Sequence, residues 1–351
     1  MSSSRPSAVR VLRLRVKDKH AVWLAGLARE VNTVFNYCND LSVKVFERER
    51  RFLSGFDFWP FLKGVTRGDC ALHLPIQAVQ EIAEEYARRR RQHRKIRLAW
   101  RKSGGARRSR GWIPFKVGTI RYRGGQVYFA GRWLSLWDSY GLGNFELRAG
   151  NFSEDSRGRW YLNICVPREP RVADERNIAS VGSILDRSVP SVGIDLGLRT
   201  FAAFSDEARP PIEAERFYRD LEPALARAQR ARHRHRTRAI HAKIANRRKD
   251  FLHKLSTNLI QGNAAIFVGN VNACALAKTR QAKSVLDAGW SAFRTMLSYK
   301  CADAGVWFEE VDEAFSTQTC SVCKSRAGPK GRKDLGIRGW QCPVCLSLIH
   351  I

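Results

Sequence analysis

The stretch SVGIDLGLRTFAAFSD, residues 191–206, reads as an apolar strand, a tight turn at Gly197 and a second strand. Asp195 lies inside the first apolar run. A carboxylate there is costly unless it is paired or holds a metal ion. Downstream, residues 215–260 form a long basic helical region, and residues 264–271 (AAIFVGNV) form a second apolar strand. A helix over 282–305, closed by Gly305, precedes a third strand, VWFEEVDEAF, at 306–315. Strands alternating with helices predict an α/β core opening at Ser191.

Two roles for Asp195 stay open on these residues. In RNase H-like folds a first-strand aspartate binds a divalent ion for phosphodiester cleavage; the alternative is a strand-end aspartate that satisfies the following turn. Within the basic region, residues 236–256 carry a sparse apolar seam of Ile240, Ile244, Phe251, Leu252 and Leu255, and nearly everything else is positive. A helix of that kind between two sheet strands suits phosphate contact.

After the third strand come Cys320-Ser-Val-Cys323, eighteen residues, and Cys342-Pro-Val-Cys345. Two CxxC pairs at this spacing predict a closed tetrahedral zinc site on four thiolates. The intervening loop, KSRAGPKGRKDLGIRGWQ, is basic and glycine-rich, as in a ribbon that touches nucleic acid. The other five cysteines, Cys38, Cys70, Cys165, Cys274 and Cys301, are read as buried small hydrophobes.

Upstream of Ser191 the pattern changes. Residues 9–16 (VRVLRLRV) alternate apolar and basic, as a strand with one wet face. Leu24, Leu27, Val31, Val34, Phe35, Cys38, Leu41 and Val45 then share one helical face. A second helix is expected after Pro75, running to about Lys102, with Glu81, Glu84 and Glu85 in its first half and Arg and Lys in its second. Short strands with turns at Gly124-Gly125 and Ser156-Arg157-Gly158 fill 112–167. They predict a small antiparallel barrel that the strand at 9–16 completes, with the helices as an insertion. Residues 168–190 read as a polar linker.

The 351 residues suffice for several domains with real cores. Sixty-two Lys and Arg against thirty-three Asp and Glu leave a net charge of +29, which calls for a polyanionic partner. Arg88, Arg89, Arg90 and Arg91, with Arg234, Arg236, Arg247, Arg248 and Lys249, are the candidate phosphate contacts. No run of apolar residues is long enough for a membrane span, and the N-terminus lacks the pattern of a signal peptide. No membrane and no small-molecule substrate are expected.

GIDLG, then ANRRKDFLHKLS, then an apolar strand, then FSTQTCSVC and CPVC, in this order, resemble the TnpB-type (OrfB) proteins of insertion sequences, which are similar to compact type V CRISPR effectors. The resemblance implies a multidomain α+β protein. Its parts would be the first strand of a wedge barrel at 1–20, a helical recognition insertion at 21–105 and the rest of the barrel at 106–180. A RuvC-like nuclease domain would follow at 191–315 and a zinc ribbon at 316–345. It further implies a transposon-encoded, prokaryotic, cytoplasmic and nucleoid-associated RNA-guided DNA endonuclease. Its partners would be a guide RNA and a double-stranded DNA target. Its cofactors would be structural Zn²⁺ and catalytic Mg²⁺, with two Mg²⁺ ions held by three carboxylates.

Asp195 would be the first of the three and a magnesium ligand. Relatives carry the second, a Glu, at the end of the strand that here reads IFVGNV, where this chain has Gly269 and Asn270. A relocated carboxylate is expected at Glu313, with Glu309 and Glu310 as alternatives. The third follows the last CxxC in relatives, where this chain has Leu346–Ile351, LSLIHI. That hexapeptide is also the translation of the mosaic-end adapter DNA used in transposase-based library preparation. Residues 346–351 are therefore expected to be a non-native tail on a chain that naturally continues, and the chain as it stands to be inactive for want of the third carboxylate. The other readings are a nuclease-dead RNA-guided DNA-binding repressor, which Gly269 and Asn270 favour, and a zinc-ribbon RNA-binding protein without a guide.

Overall fold

In the computed structural model, described for residues 9–68, 71–167, 190–206, 208–330, 334, 337 and 339–350, the chain divides into two units, 1–170 and 171–351. Of the linker expected over 168–190, residues 168–189 lie outside the described residues, as does Cys70.

The first unit begins with β1 (Val9–Val16), whose Leu12, Leu14 and Val16 point into a core while Arg13 stacks on Tyr161, 3.9 Å from its ring centroid. Next is α1 (Ala21–Glu49), which buries the predicted face from Leu24 to Cys38 together with Asn32, Asn39 and Ser42. α2 (Ile76–His93) packs against it and stops nine residues short of the predicted end, because Arg94 adopts a left-handed φ of 49°. The segment beyond it is claimed by α1 instead. Asn39 bonds both the N–H and the C=O of Leu98, and Asn36 does the same for Arg101. These side chains take the backbone groups that a longer helix would have paired within itself.

The strands that follow are β2 (Trp112–Phe115), β3 (Arg121–Arg123), β4 (Gln126–Phe129), β5 (Arg132–Trp137), β6 (Gly150–Glu154) and β7 (Trp160–Pro167). Gly124 and Gly125, with φ of 52° and 74°, make the tight turn between β3 and β4. The sheet order is β2-β6-β7-β1-β5-β4-β3, so β1 sits at its centre and the helices are an insertion between β1 and β2. Phe115 at one edge and Phe129 near the other are 6.0 Å apart, and both meet Phe152. The sheet is therefore curled. Its pairing leaves β2 and β3 as edges, where the sequence predicted a barrel.

The second unit contains β8 (Ser191–Leu196), β9 (Thr200–Phe204), β10 (Ile212–Glu213), α3 (Phe217–Arg230), α4 (Arg234–Gln261), β11 (Ala265–Gly269), α5 (Ala273–Leu276), α6 (Ala282–Ala288), α7 (Trp290–Ala304) and β12 (Trp307–Val311). The basic helical region expected over 215–260 consists of two helices, separated where Arg232 takes a φ of 54°. The helix expected over 282–305 is likewise two, broken at Gly289 with φ 72°. The sheet order is β10-β9-β8-β11-β12, with β8, β11 and β12 parallel. Val192, Ile194, Ile266 and Val268 pack on one face against Leu252, Leu259, Phe293 and Leu297. The 306–315 strand, which ends at the cysteine ribbon, would run beside β8 if consecutive elements of this core packed as the sequence suggests. It pairs instead with β11, which lies between them.

A last, two-stranded sheet joins β13 (Gly339–Gln341) to β14 (Leu348–His350), with Ile349 buried beside Cys320 and Cys342. The ribbon's pairing thus continues past Cys345 into the residues set apart above as a tail. Among the described residues no helix is long and apolar enough to cross a membrane.

Candidate functional site: a carboxylate edge and a four-cysteine centre

Parallel strands end their chains on one edge, and α/β sheets bind ligands at that edge. Here β8, β11 and β12 bring Asp195, Gly269 and the 312–313 turn to it. The register pairs Ile194 with Val268 and Val268 with Glu310, all on the helix-covered face. Asp195, Gly269 and Val311, one residue on, belong to the opposite face, and Asp195 is exposed.

Glu313 follows β12 and is half-buried. Its carboxylate lies over Gly269: a Cβ added there would fall 1.4 Å from Glu313 Oε1. Burial raises the Glu313 pKa above the usual carboxylate value, and the charge of Asp195 raises it further, against the opposing pull of Arg294. A carboxylate whose charge is disfavoured by burial and by a second carboxylate on an open edge suits a cation beside it. Of the alternatives, Glu310 is on the other face, bonded by Arg294 Nη1 at 3.0 Å, and Glu309 accepts from the Trp307 indole at 3.4 Å.

The four cysteines converge. Their Sγ atoms all lie within 4.8 Å of one another, so Cys320, Cys323, Cys342 and Cys345 could hold a metal ion. Two equivalent turns build the cluster. In one, the Cys320 N–H donates to Ser325 O and the Lys324 N–H to Cys320 O; in the other, Cys342 N–H donates to Ser347 O and Leu346 N–H to Cys342 O. Lys324 and Leu346 take matching left-handed φ values of 62° and 58°. Ser325 bonds the Cys342 sulfur and draws that thiol's pKa down to about 6. Four thiols of this geometry and softness fit zinc. Of the cysteines read as core, Cys38 and Cys301 are buried and burial pushes both thiols up to about 12; Cys165 is half-buried, and Cys274 is exposed on α5.

The basic candidates separate. Arg90 is buried, donating to Ser42 Oγ and Leu53 O and stacking on Phe52, so it is withdrawn from the phosphate contacts. Arg248 bonds the Asp287 carboxylate at 2.7 Å and fastens α4 to α6. Arg247 lies between Glu215 and Asp220, 5.7 Å above the Phe217 ring. Arg88 and Arg89 pair with the buried Glu85 but keep exposed heads. Arg91, Arg234, Arg236 and Lys249 are exposed. Sequence reasoning missed Asn270, which bonds across to the 312–313 turn, and treated Gly269 only as a lost carboxylate.

Residues 185–280 match the OrfB-type family model described as "Probable transposase", and residues 290–350 match the "Cas12f1-like, TNB domain". The chain is 30% identical over 202 residues to a "Putative RNA-guided DNA endonuclease" of Streptomyces pristinaespiralis, covering 54% of this chain and 46% of that protein. It is 25% identical over 196 residues to the "Putative RNA-guided DNA endonuclease InsQ" of Escherichia coli K12, covering 48% and 46% respectively. The chain thus spans about half the length of the curated relatives it matches. Among solved structures it resembles a Cas12f1 bound to single-guide RNA and target DNA, with a TM-score of 0.50 at 11% identity over 91% of this chain and 92% of that one. That likeness is one of fold.

Proposed function

From the premise that this chain is a TnpB-type protein, we propose that it serves RNA-guided DNA cleavage, with the carboxylate edge as the metal-binding side of a RuvC-like site. The observation that carries this reading is the Glu313 carboxylate over Gly269, on the edge that also bears Asp195. Glu313 thereby stands in for the side chain that position 269 lacks. Asp195 and Glu313 would hold Mg²⁺, which in a two-metal site activates the attacking water and stabilises the leaving oxygen of the phosphodiester. Both are acceptor-only ligands when ionised, and a hard cation prefers such oxygens. The four cysteines would hold zinc and fix the ribbon that follows Glu313. Exposed Arg91, Arg234, Arg236 and Lys249 would neutralise phosphates of a guide RNA and a double-stranded DNA target, whose pairing, rather than side-chain contact to bases, would select the sequence.

The test is cleavage by this chain carried on to the third carboxylate with the C-terminal segment of a full-length relative, and co-expressed with the DNA that flanks the gene, so that its own RNA co-purifies. Sequencing of that RNA then supplies the target for a library with randomised flanks. Asp195→Asn and Glu313→Gln are expected to lose cutting while retaining target binding. Cutting by Glu313→Gln at the parent's rate would remove Glu313 from the site. A second reading, an RNA-guided DNA-binding repressor, is favoured by the uncharged Gly269 and Asn270. It predicts that the parent binds guide and target, cuts neither strand at any Mg²⁺ or Mn²⁺ concentration, and binds equally after either substitution.

A further inference from the structure

Gly269 is not a glycine required by its backbone. Its φ is outside the left-handed region that the turn glycines of this chain occupy. What a side chain there would meet is Glu313: Oε1 at 1.4 Å, Cδ at 2.4 Å and Cγ at 2.9 Å from an added Cβ. Position 269 and Glu313 are therefore mutually exclusive occupants of one space.

The neighbouring Asn270 ties down the segment that carries Glu313. Its backbone N–H donates to Val311 O at 2.9 Å, extending the β11–β12 pairing by one residue. Its Oδ1 accepts from the Glu313 N–H at 3.3 Å, and its Nδ2 donates to Asp312 Oδ1 at 3.3 Å. The same Asp312 oxygen accepts the Ala314 N–H at 3.1 Å, and Ser316 N–H donates to Glu313 O at 3.1 Å. A glutamate on an unsupported loop would spread over many rotamers. These bonds fix its backbone, and the missing Cβ fixes where the carboxylate can rest.

We infer that Gly269 and Asn270 are positioning residues that seat the Glu313 carboxylate at the metal-binding edge, Gly269 by leaving the space and Asn270 by clamping the turn. The inference rests on the reading of Glu313 as a metal ligand. It explains both uncharged residues at once. A bulkier residue at 269 would evict the carboxylate that replaces it, so the two positions are coupled.

Mn²⁺ binding to the zinc-loaded full chain, followed by the loss of the free-ion EPR signal, tests this without any cleavage step. Zinc keeps the cysteine cluster filled, and Mn²⁺ takes the oxygen ligands. Glu313→Gln and Asp195→Asn set the scale for losing a ligand. Gly269→Ala removes no charge and no donor, yet it is expected to weaken Mn²⁺ binding by roughly tenfold or more. Asn270→Ala should do likewise, within the range seen when a partner that orients a metal ligand is lost. The double variant Gly269→Ala/Glu313→Gln should bind no worse than Glu313→Gln alone, because the methyl acts only through that carboxylate. Parent-like Mn²⁺ binding by Gly269→Ala and Asn270→Ala, with weakened binding by Glu313→Gln, would overturn the seat and leave the ligand intact. A further loss in the double variant would overturn it too. Parent-like binding by Glu313→Gln, with loss in Asp195→Asn, would instead defeat the underlying assignment of Glu313. Zinc content and a thermal melt report folding, and if Gly269→Ala does not fold, Asn270→Ala carries the comparison.

Discussion

Arg90 and Arg91 are adjacent in the chain and opposite in role. One is 6% exposed and spends its donors on Ser42 and Leu53 O; the other faces solvent. Arg90→Ala would leave those acceptors unpaired beside a void and is expected to cost about 2–4 kcal/mol of stability. Arg91→Ala should leave the melting temperature within a degree or two of the parent and weaken nucleic-acid binding. The pair of variants, melted and titrated side by side, checks the assignment; equal destabilisation by both would contradict it. Glu313 gives a second residue-scale prediction. Its folded-state pKa is raised, so the folded chain binds a proton that the unfolded chain releases at lower pH, and stability falls as pH rises through this range. Without divalent ions Glu313→Gln should therefore melt higher than the parent at pH 7. The gain should shrink below about pH 4.5, where the unfolded carboxyl is itself protonated. Saturating Mn²⁺ should narrow or reverse the difference. A variant that melts lower than the parent at neutral pH, metal-free, would count against the carboxylate pair.

The second unit's sheet and the cysteine turns carry the site at the level of elements. The two turns around Cys320 and Cys342 share a C-x-V-C-x-S pattern, and each spends a left-handed residue and a serine to point two sulfurs inward. Four thiols this close cannot all ionise without a cation to hold them. One zinc per chain is expected by elemental analysis. A strong chelator should release it and change the fluorescence of Trp340, which packs on the cluster, while leaving the melt of the first unit unchanged. Four thiols that react freely in the untreated protein would argue that the cluster holds no metal. The breaks at Arg232 and Gly289 also belong to this scale. Each break divides a long predicted helical segment into two helices, and α4 and α7 cover one sheet face while Asp195 on the other is exposed.

Charge is a property of the whole chain. Ion pairs use positive and negative groups one for one, so pairing within the chain leaves an excess of 29 positive charges, and the exposed arginines around 232–238 contribute to it. Each phosphate neutralised releases a counterion, so affinity should fall steeply with salt. With six to ten phosphate contacts, a loss of about a thousandfold or more is expected between 50 and 200 mM salt. A binding constant that stays flat over that range would mean that the surplus charge is not used on a phosphate backbone.

Local pattern was enough for much of this. Alternation in VRVLRLRV marked a strand, because side chains on a pleat face opposite ways; the spacing from Leu24 to Val45 marked a helical face; and paired CxxC motifs marked the cluster, because ligand spacing is a local property. Asp195 stood out as a carboxylate in an apolar run, but the cost expected of it there is not met: it is exposed, because α4 and α7 cover only the other face of its strand. The extent of α2 was not legible, since Asn39 and Asn36, 59 and 65 residues away, compete for the backbone of Leu98 and Arg101 respectively. Nor were the burial of Arg90 and the pairing of Arg248 with Asp287, since a run of arginines shows charge and not which members find a carboxylate or a carbonyl. The order of β8, β11 and β12, and the Glu313 carboxylate over Gly269, depend on residues dozens of positions apart meeting across strands. Sequence alone determined the periodicities, the ligand spacing and the net charge. Only the tertiary structure decided which groups share a space, because that is set by packing between distant segments and leaves no trace in local order.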